Sequence, residues 1–151
     1  MNHEKTAVIA AYETELLVLG RALNDKQTHE HVVLSLKEED FFDSDMRLLF
    51  NILERLHNQD KPAGILFVLE SLKNIQDKHH LTASFLTGIA HNAIVDIDLR
   101  YYIDFLKQKT ASRKFYFLMK NQFNHFNMTS ENPFETKNRF EKVLFFNEKS
   151  I

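Results

Sequence analysis

LKEEDFFDSDMRLLF, residues 36–50, decides the fold because it joins an acidic turn, a double phenylalanine and the start of an amphipathic helix. Ser44 is predicted to cap this helix, with Asp45 in the first turn, where negative charge suits the helix dipole. We expect Phe41 and Phe42 to belong to the core. The predicted buried face of the helix comprises Met46, Leu49, Phe50, Leu53 and Leu56.

Apolar residues recur three and four positions apart on both sides of this stretch, which predicts further helices. Pro62 must end the preceding helix, and Thr82 is a predicted N-cap. Gly20 lies inside a helical stripe, so we expect a neighbouring helix to pack closely against it. The other predicted helices run from about Val8 to Leu23, from His31 to Leu36, from Ile65 to Leu72, from Thr82 to Ala93 and from Asp98 to about Asn127.

The last of these helices, roughly 30 residues long, would extend about 45 Å. A further helix is predicted after Pro133, packing back against its outer half. The predicted fold is therefore all-α, with a small globular head (residues 1–97) followed by a protruding antiparallel helical hairpin (residues 98–151) within one structural domain.

Composition supports this prediction. The chain has 151 residues, 44% of them hydrophobic, which is enough for a core, and its three glycines and two prolines are few for a β-rich protein. It has no cysteine, and no apolar run approaches the ~20 residues that span a bilayer. We expect a cytoplasmic protein that does not enter a membrane.

Charge is distributed unevenly along the chain. Residues 1–99 contain nine Lys and Arg against sixteen Asp and Glu, whereas residues 100–120 contain six against one. An acidic body disfavours extensive nucleic-acid binding. The basic segment suggests at most a weak contact with nucleic acid or an acidic partner, through Lys109, Arg113 and Lys114, and a solvated helix face is the favoured interpretation.

Patterns that indicate catalysis are mostly missing. The glycines are too far apart for a phosphate-binding loop. Glu13 and Glu15 are two residues apart and face different directions on a helix, which is typical of solvated carboxylates. A metal-dependent enzyme would have to use His79, His80 and His91 with Asp77, but their spacing matches no known site type. We therefore predict no catalytic residue, cofactor or metal ligand.

Aromatic residues lie among cations along the outer half of the long helix, and bases could stack on such rings. Helical spacing instead favours packing of most of these rings, in the hairpin core or a protein interface. The rings are Phe115, Tyr116, Phe117, Phe123 and Phe126, beside Arg113, Lys114 and Lys120. Because an isolated two-helix hairpin buries little apolar surface, we expect its outward residues to meet a second copy or another protein. The predicted interface comprises Phe115, Leu118, Met119, Phe123, Phe126, Phe140, Val143 and Leu144.

Several of these motifs together resemble the N-terminal domain of the bacterial hexameric replicative DNA helicase, the DnaB type. The resemblance covers Glu13 to about Phe117, with Met46 where the family has His and Ala63-Gly64-Ile65 where it has Ile-Asp after the proline. The motifs that resemble the family are ELLVLGRAL (15–23), DFF (40–42), RLLF with IL (47–50 and 52–53), KP (61–62), FL with Ile89 (85–86), and YYI with Leu106 and Arg113 (101–103).

The resemblance implies a non-catalytic domain that dimerises through hairpins, assembles as a trimer of dimers in a hexamer collar, and docks primase or a helicase loader. DNA contact would be indirect or weak. ATP binding would belong to the ATPase domain of a full-length helicase. The alternative is the helicase-interacting C-terminal domain of a primase, which has a similar head and hairpin.

Overall fold

The computed structural model describes residues 2–75, 80–93 and 98–129, together with Glu135 and Asn138. Side chains are described for residues 11–122 of these ranges and for Glu135 and Asn138. The described residues form helices, turns and loops, which confirms the all-α prediction. The helices are α1 (Asn2–Ala22), α2 (Lys26–Ser35), a 3-10 turn (Glu38–Asp40), α3 (Ser44–Asn58), α4 (Ile65–Leu72), α5 (Ala83–Asn92) and α6 (Leu99–Thr129).

Two compact units make up the chain, residues 1–110 and 111–151. From here on we call the first unit, residues 1–110, the head; it extends past the predicted head (residues 1–97) and includes the first three turns of α6. The domain boundary after residue 97 stays a prediction. So does the second hairpin helix, because Phe140, Val143 and Leu144 lie outside the described residues.

Helix α3 is the centre of the head. Its predicted buried face is confirmed, since all five of those side chains are at most 3% exposed. The rings of Phe41 and Phe50 pack with their centroids 5.0 Å apart. Helix α1 packs against α2, α3 and α5, so α3 and α1 together enclose most of the core.

Two helix starts differ from the prediction. Helix α2 begins at Lys26 rather than His31, because the Asp25 carboxylate accepts a hydrogen bond from the Thr28 N–H at 2.8 Å. Helix α3 is capped by Asp43 rather than Ser44: its Oδ1 accepts from the N–H groups of Asp45 (2.9 Å) and Met46 (3.1 Å). Both residues can cap, and only the backbone path decides which one does.

Other predicted boundaries are confirmed. Helix α4 has the predicted bounds, and Thr82 caps α5 by accepting from the Phe85 N–H at 3.2 Å. Helix α3 ends before Pro62 through Asp60, whose φ of 54° turns the chain out of the helix. Gly20 contacts the backbone of α5, as its position in a helical stripe predicted.

Candidate interaction surfaces

The double phenylalanine is held by a buried carboxylate from α1. Glu15 is fully buried, and its two oxygens accept hydrogen bonds from the N–H groups of Phe42 (2.7 Å) and Asp43 (3.2 Å). The prediction of a solvated Glu15 is therefore wrong. A carboxylate that accepts two backbone N–H bonds is a strong structural tie, and here it joins α1 to the start of α3.

Two further bonds fix the same turn. The Lys37 N–H donates to Asp40 Oδ2 at 2.9 Å, and the Arg47 Nε donates to the Phe41 carbonyl at 2.7 Å. Arg47 reaches back across the turn that it follows, so the conformation of Asp40 and Phe41 is held from both sides.

Phe42 does not enter the core as predicted. Its ring is 58% exposed, whereas Phe41 is fully buried. The two residues separate because Glu15 holds the extended backbone here, and consecutive side chains of an extended chain point in opposite directions. Tyr12, 38% exposed, lies near the same acidic turn: partial burial first, and then the charges of Asp43, Asp45 and Glu15, raise the pKa of its hydroxyl.

His29 is a buried histidine that links two helices of the head. His29 is 2% exposed, and its Nε2 lies 2.8 Å from the Leu53 carbonyl, which requires that nitrogen to donate and so links α2 to α3. Burial lowers the pKa of His29, against the raising effect of that hydrogen bond and with a further lowering from His57.

The residues of the metal hypothesis are only partly described. His80 contacts Asp45 through both its backbone N–H and its Nδ1, each at 3.0 Å, and His91 is exposed. Asp77 and His79 lie outside the described residues. Among the described residues, no group of three or more His, Asp or Glu side chains is placed to hold a metal ion.

Helix α6 changes its apolar side along its length. In the head, Ile103, Leu106 and Thr110 are at most 5% exposed and pack as one face. Past residue 110, Phe115 and Met119 lie more than 100° around the helix from that face, because positions advance by about 100° each. Phe115 and Met119 are one turn apart and 52% and 39% exposed.

These two residues and Leu118 are the part of the predicted interface whose side chains are described. Leu118 is partly buried, and it lies three residues from Phe115, so all three share one side of the helix. We call this side, Phe115, Leu118 and Met119, the apolar face. Phe123 and Phe126 continue its spacing within α6, but their side chains lie outside the description.

Two of the three basic residues of the predicted weak contact share one side of α6, and the third does not. Lys109 places its Nζ 5.0 Å from the centroid of the Phe105 ring. Arg113 is one turn further along, and Lys114 follows it at the next position, about 100° around the helix. Farther along α6, Tyr116 and Phe117 are 68% and 63% exposed. Their helical spacing predicted mostly packed rings, and spacing alone does not determine which rings are exposed.

The described residues thus define a helical domain with an exposed apolar face on one long helix. A family model described as the DnaB-like helicase N terminal domain matches residues 9–108, which is more than half of the chain. The chain belongs to this family, which decides between the helicase and primase interpretations. No described helix is long and apolar enough to cross a membrane.

Known proteins support the same assignment. A probable plasmid replicative DNA helicase from Chlamydia psittaci is 25% identical over 135 residues, which cover 87% of this chain and 29% of the helicase. The chain therefore spans less than a third of that relative.

Solved structures show the fold. The N-terminal domain of the DnaB helicase from Mycobacterium tuberculosis aligns with a TM-score of 0.76 at 18% identity, covering 89% of this chain and 96% of that one. The corresponding domain from Helicobacter pylori, described together with its interactions with primase, aligns with a TM-score of 0.70 at 24% identity, covering 84% and 99%.

Proposed function

We propose that this chain is the self-associating and partner-docking region of a cytoplasmic replicative DNA helicase, and that it has no catalytic activity of its own. Two copies associate through the apolar face of α6, and three such dimers form a hexamer collar. The observation that carries this proposal is the exposure of Phe115 and Met119 one turn apart on α6.

Burial of this face would favour association. Transfer of a side chain such as Phe or Met from water to an apolar contact contributes roughly 1.5–3 kcal/mol when complete, and a symmetric dimer buries each residue twice.

Sedimentation velocity between about 1 and 50 µM tests self-association, a range set by the roughly micromolar affinity of small interfaces. We expect dimers or larger assemblies for the unmodified chain and monomers for Phe115→Asp/Met119→Asp, because each carboxylate would be desolvated at the interface. Leu34→Asp is the control, since Leu34 is 71% exposed on α2 and outside the apolar face. A monomer throughout, or equal loss in both variants, would contradict the proposal.

Primase or a helicase loader is the proposed partner of the assembled collar. The family assignment supports this, as does the primase interaction described for the Helicobacter pylori domain. Titration calorimetry with the primase and the loader of the same replicon tests it: we expect at least one of the two to bind the unmodified chain and Leu34→Asp. If neither binds, the docking proposal is wrong and self-association stands on its own measurement.

A further inference from the structure

A second side of α6 combines cations with exposed rings. Arg113, Tyr116, Phe117 and Lys120 follow one another at intervals of three, one and three residues, so they share one side of the helix. We call them the cation–aromatic stripe. They lie roughly opposite the apolar face, because the mean directions of the two sets of side chains differ by about 160° around the helix axis.

The stripe presents its rings to solvent. Tyr116 is 68% exposed and Phe117 is 63% exposed, and Lys120 is exposed next to them. Rings that the described part of the fold used as core would be covered. Large apolar side chains left open together on one helix side indicate a surface that binds something.

Charge narrows the class of ligand. Residues 105–130 contain no Asp or Glu and five Lys or Arg. A ligand for this segment is therefore anionic. Arg113 and Lys120 are about 10 Å apart along the helix axis, with the two rings between them.

We propose that the cation–aromatic stripe binds single-stranded nucleic acid. A single strand alternates phosphates with flat bases, so the phosphates can reach Arg113 and Lys120 while bases stack on Tyr116 and Phe117. A duplex keeps its bases stacked inside and would engage the cations alone. An acidic peptide likewise offers charges but no flat rings.

Fluorescence anisotropy with a labelled oligothymidylate of about 20 nucleotides tests this, since single-stranded sites cover several nucleotides. In about 50 mM salt we expect Tyr116→Ala to weaken binding at least about fivefold and Tyr116→Phe to restore it, because stacking needs the ring and not the hydroxyl. Arg113→Ala/Lys120→Ala should weaken binding at least about tenfold and reduce the slope of log K against log salt by about 1.4.

Arg100→Ala/Lys107→Ala is the matched control. These two residues are also an Arg and a Lys seven positions apart on α6, both exposed, and their loss changes the net charge equally, but neither belongs to the stripe. We expect a loss below about threefold from them. Circular dichroism and sedimentation velocity on each variant separate loss of binding from loss of helix or of self-association.

Four results would overturn the proposal: no binding by the unmodified chain, equal losses in the two double variants, a duplex that binds as tightly as the single strand, or no effect of Tyr116→Ala. Poly-glutamate competing as well as oligothymidylate would instead assign the stripe to an acidic protein segment, and would equally overturn it.

Discussion

Replacing Gly20 by alanine should destabilise the head, although alanine is the better helix former. A Cβ at this position of α1 would lie 2.3 Å from the Ile89 carbonyl oxygen, 2.8 Å from its carbon and 3.1 Å from the Ala93 Cβ. Ordinary contacts begin near 3.4 Å, so α1 and α5 would have to separate by about 1 Å. The obstacle is helix backbone, which cannot rotate away as a side-chain tip can.

Three contributions set the magnitude. Forced overpacking costs about 1–3 kcal/mol, and alanine returns about 1 kcal/mol of helix propensity. Separation also strains the bonds from Arg21 Nη1 to the Ala93 carbonyl (3.3 Å) and from Asn24 Nδ2 to the Ala90 carbonyl (2.8 Å), each contributing about 1 kcal/mol. We expect a net loss of about 1 kcal/mol from packing and propensity together, rising to about 3 kcal/mol if both bonds break.

Urea unfolding followed by circular dichroism measures this loss, and the midpoint of thermal unfolding should fall by about 4–8 °C for a loss of 2 kcal/mol. Gly88→Ala is the control, since Gly88 is inside α5 and a Cβ there meets nothing within 4 Å. It should raise stability by about 0.5–1 kcal/mol. If Gly20→Ala proves as stable as the unmodified chain, α1 and α5 do not approach as closely as described.

Two other predictions concern buried polar groups. Glu15→Gln should lower the free energy of unfolding, measured in urea, by about 2–3 kcal/mol, because the substitution aims an NH₂ group at a backbone N–H donor. The control is Glu13→Gln, at an exposed position of α1, which should change the free energy of unfolding by no more than about 0.5 kcal/mol. Similar losses from both variants would contradict the role of Glu15 in joining α1 to α3. The pKa of His29 is lowered in the folded state, so its contribution to the free energy of unfolding is complete above the unfolded pKa, near 6.5. Below that pH the contribution is lost by up to about 1.4 kcal/mol per pH unit, until the folded pKa is passed. His29→Gln keeps an N–H donor for the Leu53 carbonyl without titrating, so urea unfolding between about pH 5 and 8 should show a smaller loss of stability on acidification than the unmodified chain; equal losses would contradict a neutral buried imidazole.

Local patterns predicted the elements whose signals lie within one or two turns. The buried face of α3, the bounds of α4 and the cap at Thr82 follow from apolar spacing and from a side chain beside the helix it caps. The same logic failed where two neighbours offered the same chemistry, as Asp43 and Ser44 do. Helix α2 was predicted too short because its first turns are polar and only Asp25 marks the start.

The sequence likewise predicted some features of the interaction surfaces and not others. The aromatic content and spacing of α6 predict an interface, which stays a prediction, whereas the helicase domain predicted by the family resemblance is confirmed by the family match. Exposure did not follow from spacing: Tyr116 and Phe117 have core-like composition but face solvent.

Sequence periodicity thus determined that the chain is all-α, where most helices lie and which side of α3 is buried, because these depend on residues three or four positions apart. Tertiary structure decided the separate fates of Phe41 and Phe42. The residue responsible is Glu15, 27 positions away from Phe42, whose carboxylate is buried only because two backbone N–H groups of another segment reach it. A pairing between distant segments leaves no local pattern, so it becomes visible only when the helices are packed.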